Sequence, residues 1–189
     1  MKDNMAKWEI EEGVKFLKKI GIKDGQIVLD FGARVGHYSI PAAIAVGEKG
    51  LIYAVDKQEQ ELEELGRKTK RLKLKNVNIV RTRGGVKLDF KDKTIDVVLL
   101  YDVLHYLRKI ERDKLYSETH RVLKQDGILS VYPKHVIEDF PLDQFRQLHL
   151  DDVKKEIQDL NFKFQQKYCD IISHDDFLNR GCVFNFIKV

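Results

Sequence analysis

Cysteine is nearly absent. Cys169 and Cys182 are the only two in 189 residues, which excludes a disulfide framework and a cysteine-based zinc site. They are expected as small free thiols in a reducing compartment, although a terminal hairpin can bring them face to face. Proline is scarce (3 residues) and glycine ordinary (12), so no long disordered tract is expected. No apolar run reaches the roughly 20 residues of a membrane span. Met1, Lys2, Asp3 and Asn4 lead into an amphipathic stretch and not into the apolar core of a signal peptide. The cytoplasm is the expected location. A formal net charge of +4 is too small to imply nucleic acid by itself.

What is present is apolar content of 43% and charge of 34%, the makeup of a highly charged globular protein. The length suits one domain over 1–189. Helical spacing of Trp8, Val14, Leu17 and Ile20 predicts a helix over 5–20, and residues 1–20 are a candidate lid together with 133–150. Apolar runs predict strands at 26–31, 51–55, 76–81, 95–101 and 128–132. Helices are predicted between them, at 39–46, 58–74 and 110–123, and again at 150–160. The tail reads as strands at 163–172 and 182–189 joined by a polar turn. This alternation predicts an α/β fold: a doubly wound, mostly parallel seven-stranded sheet with an antiparallel C-terminal hairpin strand.

The first strand ends in Asp30 and runs through Gly32, Arg34 and Gly36 into a helix. The second strand ends in Asp56. A glycine-bearing turn after one strand and an acid after the next is how an α/β domain holds a nucleoside. A dinucleotide fingerprint needs G-x-G-x-x-G, and this loop lacks the second glycine and misplaces the third. The pattern D-x-G-x-x-x-G with a later strand-end acid resembles the S-adenosylmethionine site of class I methyltransferases. DVVLLYDVLHYL at 96–107 resembles the fourth strand and turn of the type 11 group, which includes quinone-biosynthesis enzymes. RVLKQDG at 121–127 is similar to that group's turn before the fifth strand. The resemblance runs over about 14–189 and is loose after Tyr132.

That resemblance implies S-adenosylmethionine as cofactor and a class I methyltransferase fold. It implies that Asp30 positions the glycine loop, that Gly32 and Gly36 supply bare backbone, and that Asp56 holds the ribose. Lys57 would lie beside the adenine, and Asp102 beside the transferable methyl. The chain departs from the pattern twice. Arg34 replaces the central glycine, where it either pairs with the methionine carboxylate, points away, or repels the sulfonium. Arg81, Thr82, Arg83, Gly84 and Gly85 follow the third strand where the family often has an acid for adenine.

His105 and His37 are the candidate catalytic bases, chosen because histidine titrates near neutral pH. Tyr38, Tyr101, Tyr106 and Tyr132 either wall an acceptor pocket or pack at the sheet rim. Lys134 and His135 are candidates to meet an anionic acceptor. No metal site is expected. The turn at Tyr101 and Asp102 lacks the N/D-P-P-Y/F pattern of base-amine methylation. A basic run over 67–75 invites an RNA reading, but acids first and bases last along one helix suit its dipole. The expected activity is methyl transfer to a small-molecule acceptor. RNA or protein methylation, or nucleoside or partner binding without turnover, are the alternatives, and the oligomeric state is open.

Overall fold

The computed structural model describes residues 2–138 and 148–189. Helix α1 (Lys2–Lys7) passes through a π-helical turn, Trp8–Glu12, into α2 (Gly13–Lys19). Then follow β1 (Ile27–Phe31), α3 (Ser39–Val46), β2 (Leu51–Asp56), α4 (Glu59–Arg71) and β3 (Val77–Arg81). The second half holds β4 (Ile95–Tyr101), a short 3-10 turn (Leu104–Tyr106), α5 (Lys109–Val122) and β5 (Leu123–Tyr132). It closes with α6 (Leu150–Gln158), β6 (Phe162–His174) and β7 (Phe177–Lys188).

All seven strands join one sheet in the order β3-β2-β1-β4-β5-β7-β6. Strands β1 to β5 pair in parallel, and β7 runs antiparallel to both β5 and β6. The predicted doubly wound sheet is therefore present. From Val97 onward β4 is a continuous buried apolar run because helices cover both faces of the sheet. Alternate residues divide between two cores. Leu29, Val98, Leu100 and Leu129 face α5 and α6 through Leu115 and Val153. Val28, Val97 and Leu99 pack instead with Trp8, Leu17 and Ala42. Helix α3 is apolar all round and almost wholly buried, as a helix inside the fold must be.

The N-terminal segment is anchored. Trp8 is 1% exposed, and its indole Nε1 donates to the His37 carbonyl at 2.8 Å. The segment 133–150 lies partly outside the described residues, so its role as a lid stays an expectation. No described helix is long and apolar enough to cross a membrane.

Three expectations need correcting. Strand β5 begins at Leu123, five residues before the predicted start at 128, because Leu123 pairs with Ile95 before a register shift. The tail strands are longer than predicted. His174 pairs with Phe177, so the turn is only Asp175 and Asp176, with Asp175 at φ +50. Cys169 and Cys182 are not free thiols. They sit directly opposite in the hairpin register, with Cα atoms 4.1 Å apart, and form a disulfide.

Candidate active site

β1 lies between β2 and β4, the point where the winding of the sheet reverses. Loops leaving the carboxyl ends of strands separate there and leave a crevice. A cavity of about 440 Å³ opens at this place. Its walls include Gly32, Arg34, Asp56, Lys57 and Asp102, all named as candidates from the sequence.

One wall is the loop after β1, stitched to the end of β2. Gly32 and Ala33 N–H groups donate to the Val55 carbonyl at 2.8 and 3.1 Å. The Arg34 N–H donates to Asp56 Oδ2 at 2.9 Å. Asp56 Oδ1 accepts from the Lys57 and Gln58 N–H groups at 2.7 and 2.9 Å. Three backbone donors thus fix this carboxylate at the rim. The loop glycines serve packing as well as approach. At Gly32 (φ +89) an added Cβ would come 2.3 Å from Val103 Cγ1, and at Gly36 (φ +89) 2.3 Å from Leu65 Cδ1. Gly36 therefore seats the loop on α4, and it is not among the cavity's wall residues.

Asp30 lies beneath that wall and accepts a hydrogen bond from Ser39 Oγ at 2.5 Å. Its pKa is pushed up to about 6, chiefly by burial. The Ser39 hydrogen bond opposes the rise and the charge on Asp56 adds to it.

Arg34 occupies a left-handed conformation at φ +45, which a glycine would adopt without strain. Its guanidinium turns toward acids. It meets Asp175 Oδ1 at 3.0 Å, Glu61 Oε2 at 3.6 Å and Asp176 Oδ1 at 3.9 Å. The hairpin tip therefore reaches over the loop after β1.

The opposite wall is the turn after β4. Asp102 has φ +57 and brings its carboxylate against three imidazoles. His174 Nε2 lies 3.1 Å from Asp102 Oδ2. His105 Nδ1 and His135 Nε2 lie 3.6 and 3.7 Å from Asp102 Oδ1. The His135 and His174 Nε2 atoms are 3.2 Å apart. The His105 ring stands edge-on to that of His135, with centroids 4.5 Å apart.

Of the two candidate bases, His105 stands behind Asp102 and is not in the wall of the cavity. His37 stands apart from it, with Nδ1 2.8 Å from Glu9 Oε1 and Nε2 3.2 Å from Asp176 Oδ1. Glu9 also bonds Lys68. Burial works to raise the Glu9 pKa, but hydrogen bonds from His37 and Lys68 outweigh it and hold the carboxyl below its ordinary value.

The tyrosines divide. Tyr106 is exposed and lines the cavity. Tyr38, Tyr101 and Tyr132 pack edge to face at the sheet rim, and Tyr101 also shows a face to the cavity. Burial pushes the Tyr38 and Tyr101 phenols well above their ordinary pKa, so neither is a base near neutral pH. Sequence reasoning missed Glu61, His174, Asp175 and Asp176. The HDD run at 174–176 was a visible signal, but nothing in it told where the hairpin turned.

Residues 28–127 match the family model of the methyltransferase domain. A demethylmenaquinone methyltransferase of Lactobacillus johnsonii is 26% identical over 117 residues, covering 62% of this chain and 47% of that protein. The ubiquinone/menaquinone biosynthesis C-methyltransferase of Haemophilus ducreyi is 33% identical over 116 residues, covering 59% and 42%. The chain thus spans about half the length of the curated relatives it matches. A SAM-dependent methyltransferase from Aquifex aeolicus superposes with a TM-score of 0.77 at 25% identity, over 97% of this chain and 93% of that one. Magnesium protoporphyrin IX methyltransferase from Synechocystis, solved with SAM bound, shares the fold with a TM-score of 0.67 at 22% identity, over 95% and 77%. With its cavity at the β1 and β4 switch point and a family match over more than half its length, the chain belongs to the methyltransferase-domain family of class I fold.

Proposed function

We propose that this chain transfers a methyl group from S-adenosylmethionine to a small organic acceptor. The observation that carries the reading is a single cavity bounded by both required elements. One side is the loop after β1 tied to the Asp56 carboxylate, and the other is the turn carrying Asp102. The charge of the cavity suits the cofactor. Asp102 Oδ1 is a buried oxygen of a wall residue that accepts no hydrogen bond, so a cationic ligand meets an acceptor in need of a partner.

When bound, S-adenosylmethionine supplies a methyl already activated by its sulfonium, so the chain's contribution is placement. Asp56 takes the ribose hydroxyls, held in position by its three backbone donors. Lys57 flanks the adenine, and Gly84 and Gly85 line the place where the family's adenine acid is missing. Asp30 supports the loop through Ser39. The Arg34 guanidinium is neutralised by Glu61 and Asp175, so it braces the hairpin tip and does not repel a sulfonium. Asp102 faces the acceptor side, and His105 orients it. His37 acts at a distance, through Glu9 and the tip residue Asp176.

The seven strands in one sheet support a single domain. Small acceptors are favoured over RNA because the basic helix is partly neutralised, with Arg67 on Glu64 and Lys68 on Glu9. A second reading, binding without turnover, draws on the presence of Arg34 in the cavity wall.

Calorimetric titration with S-adenosylmethionine and S-adenosylhomocysteine tests the proposal. Dissociation constants in the micromolar range are expected, roughly −8 kcal/mol. Labelled-methyl transfer to quinols, phenols and thiols then separates turnover from binding. Failure of both ligands to bind sinks the proposal. Binding of both, without transfer to any small acceptor, selects the second reading.

A further inference from the structure

Asp102, His135 and His174 come from three separate segments: the turn after β4, the loop after β5 and the last residue of β6. Their ligand atoms all lie within 4.8 Å of one another. The distances are those of a coordination sphere. Metal–nitrogen bonds of about 2.0–2.1 Å place neighbouring ligand atoms roughly 3.0–3.4 Å apart in octahedral or tetrahedral sites. His135 and His174 Nε2 are 3.2 Å apart, and His174 Nε2 lies 3.1 Å from Asp102 Oδ2. His135 Nε2, at 3.7 Å from Asp102 Oδ1, needs only a small movement. Two imidazole nitrogens that face each other this closely must share a proton or a cation. Asp102 Oδ1 is buried and accepts no hydrogen bond, which leaves a negative group seeking a positive partner.

We propose that Asp102, His135 and His174 bind one divalent transition-metal ion beside the cavity, which Asp102 lines and the two histidines adjoin through it. Two imidazoles and one carboxylate favour zinc or a neighbouring first-row ion over magnesium or calcium, which prefer oxygen. Three protein ligands leave at least one coordination position open, the arrangement of a reactive site and not of a purely structural one. The side chains are 15–24% exposed, enough for an ion to enter. His105 supports both neighbours: its Nδ1 lies 3.6 Å from Asp102 Oδ1 and its ring packs on that of His135. Such outer contacts orient metal ligands.

On the methyl-transfer reading above, the open position takes the acceptor's hydroxyl or thiol. The oxygen or sulfur binds the ion, its proton passes to solvent, and the resulting anion is the nucleophile. The ion site itself does not depend on that reading.

Titrating zinc into chelator-treated protein by calorimetry tests the site without any cofactor present. One ion per chain is expected, with a dissociation constant in the micromolar range or tighter. Cobalt in place of zinc should give visible absorption bands of a site with nitrogen ligands. His135→Ala and His174→Ala should each weaken zinc binding at least tenfold, with circular dichroism unchanged. His149→Ala, which removes an exposed histidine outside the cluster, should leave it unaltered. Substoichiometric binding, or equal affinity in the His135 and His174 variants, would overturn the proposal and leave the imidazoles sharing a proton. A separate titration of S-adenosylhomocysteine with the chelator present reports on the methyltransferase reading alone, so the two can fail independently.

Discussion

The two walls of the cavity are assembled differently. The Gly32–Asp56 wall comes from one strand–loop–helix–strand unit, and its contacts are backbone hydrogen bonds onto one carboxylate. The Asp102 wall is gathered from distant segments, and its contacts run between side chains. The first is set by local chain geometry and the second by the register of the C-terminal hairpin. On the proposed function, the cofactor half is the locally built one, and the acceptor half depends on a projection from the far edge of the sheet.

The largest test of that contrast is to loosen the hairpin. The Cys169–Cys182 disulfide spans a sequence separation of 13. Replacing both cysteines by serine should lower unfolding free energy by about 2–3 kcal/mol, read by urea melts. Affinity for S-adenosylhomocysteine should stay within about twofold if the walls are independent. A fall in cofactor affinity as large as the fall in stability would show that the tip, through Arg34, Asp175 and Asp176, holds both walls.

Next comes Asp30, beneath the locally built wall. Its folded pKa, about 6, lies above the ordinary 3.8. Below the lower value both states are protonated and nothing is lost. As pH rises toward 6 the unfolded chain ionises first, so stability falls, and the loss is complete above the folded pKa. Asp30→Asn removes this loss. The variant should gain about 2–3 kcal/mol over the parent at pH 8, and the gain should vanish near pH 3.5. A pH-independent difference would mean that Asp30 titrates in the folded protein as it does in the unfolded chain.

Asp56→Ala should cost at least tenfold in cofactor affinity, about 1.4 kcal/mol, and leave zinc affinity unchanged. A matching loss in zinc binding would break the separation of the two walls.

How much of this was legible follows the same division. Gly32 and Asp56 could be placed side by side from the sequence because one crossover unit fixes their spacing along the chain. The mostly parallel, doubly wound sheet followed from the alternation of elements. The histidine cluster could not be read, because His135 and His174 meet only when Asp175 and Asp176 make the turn. Asn179 and Gly181 are turn formers as well, and they blurred its position. Phe177 and Leu178 were the clue that a strand had already restarted. Ile172 and Leu178 both pack into the core with Tyr132. The cysteines were legible as opposites but not as a bond, because a sequence does not carry the redox state of its surroundings.

Arg34→Gly should give the smallest change and the sharpest reading of the join between the walls. The left-handed backbone at φ +45 favours glycine by roughly 1–2 kcal/mol. Glycine's greater freedom in the unfolded chain removes part of that gain. The lost ion pairs to Asp175 and Glu61 are partly exposed, each worth about 0.2–1 kcal/mol. These terms nearly cancel, so stability should move by less than about 1 kcal/mol in urea melts. Cofactor affinity should shift several-fold, because two acids at the cavity then lack their cation. Tighter binding would show that the guanidinium had screened those acids from the ligand. Weaker binding would show that it grips the methionine carboxylate. An unchanged dissociation constant would make Arg34 a brace for the hairpin alone.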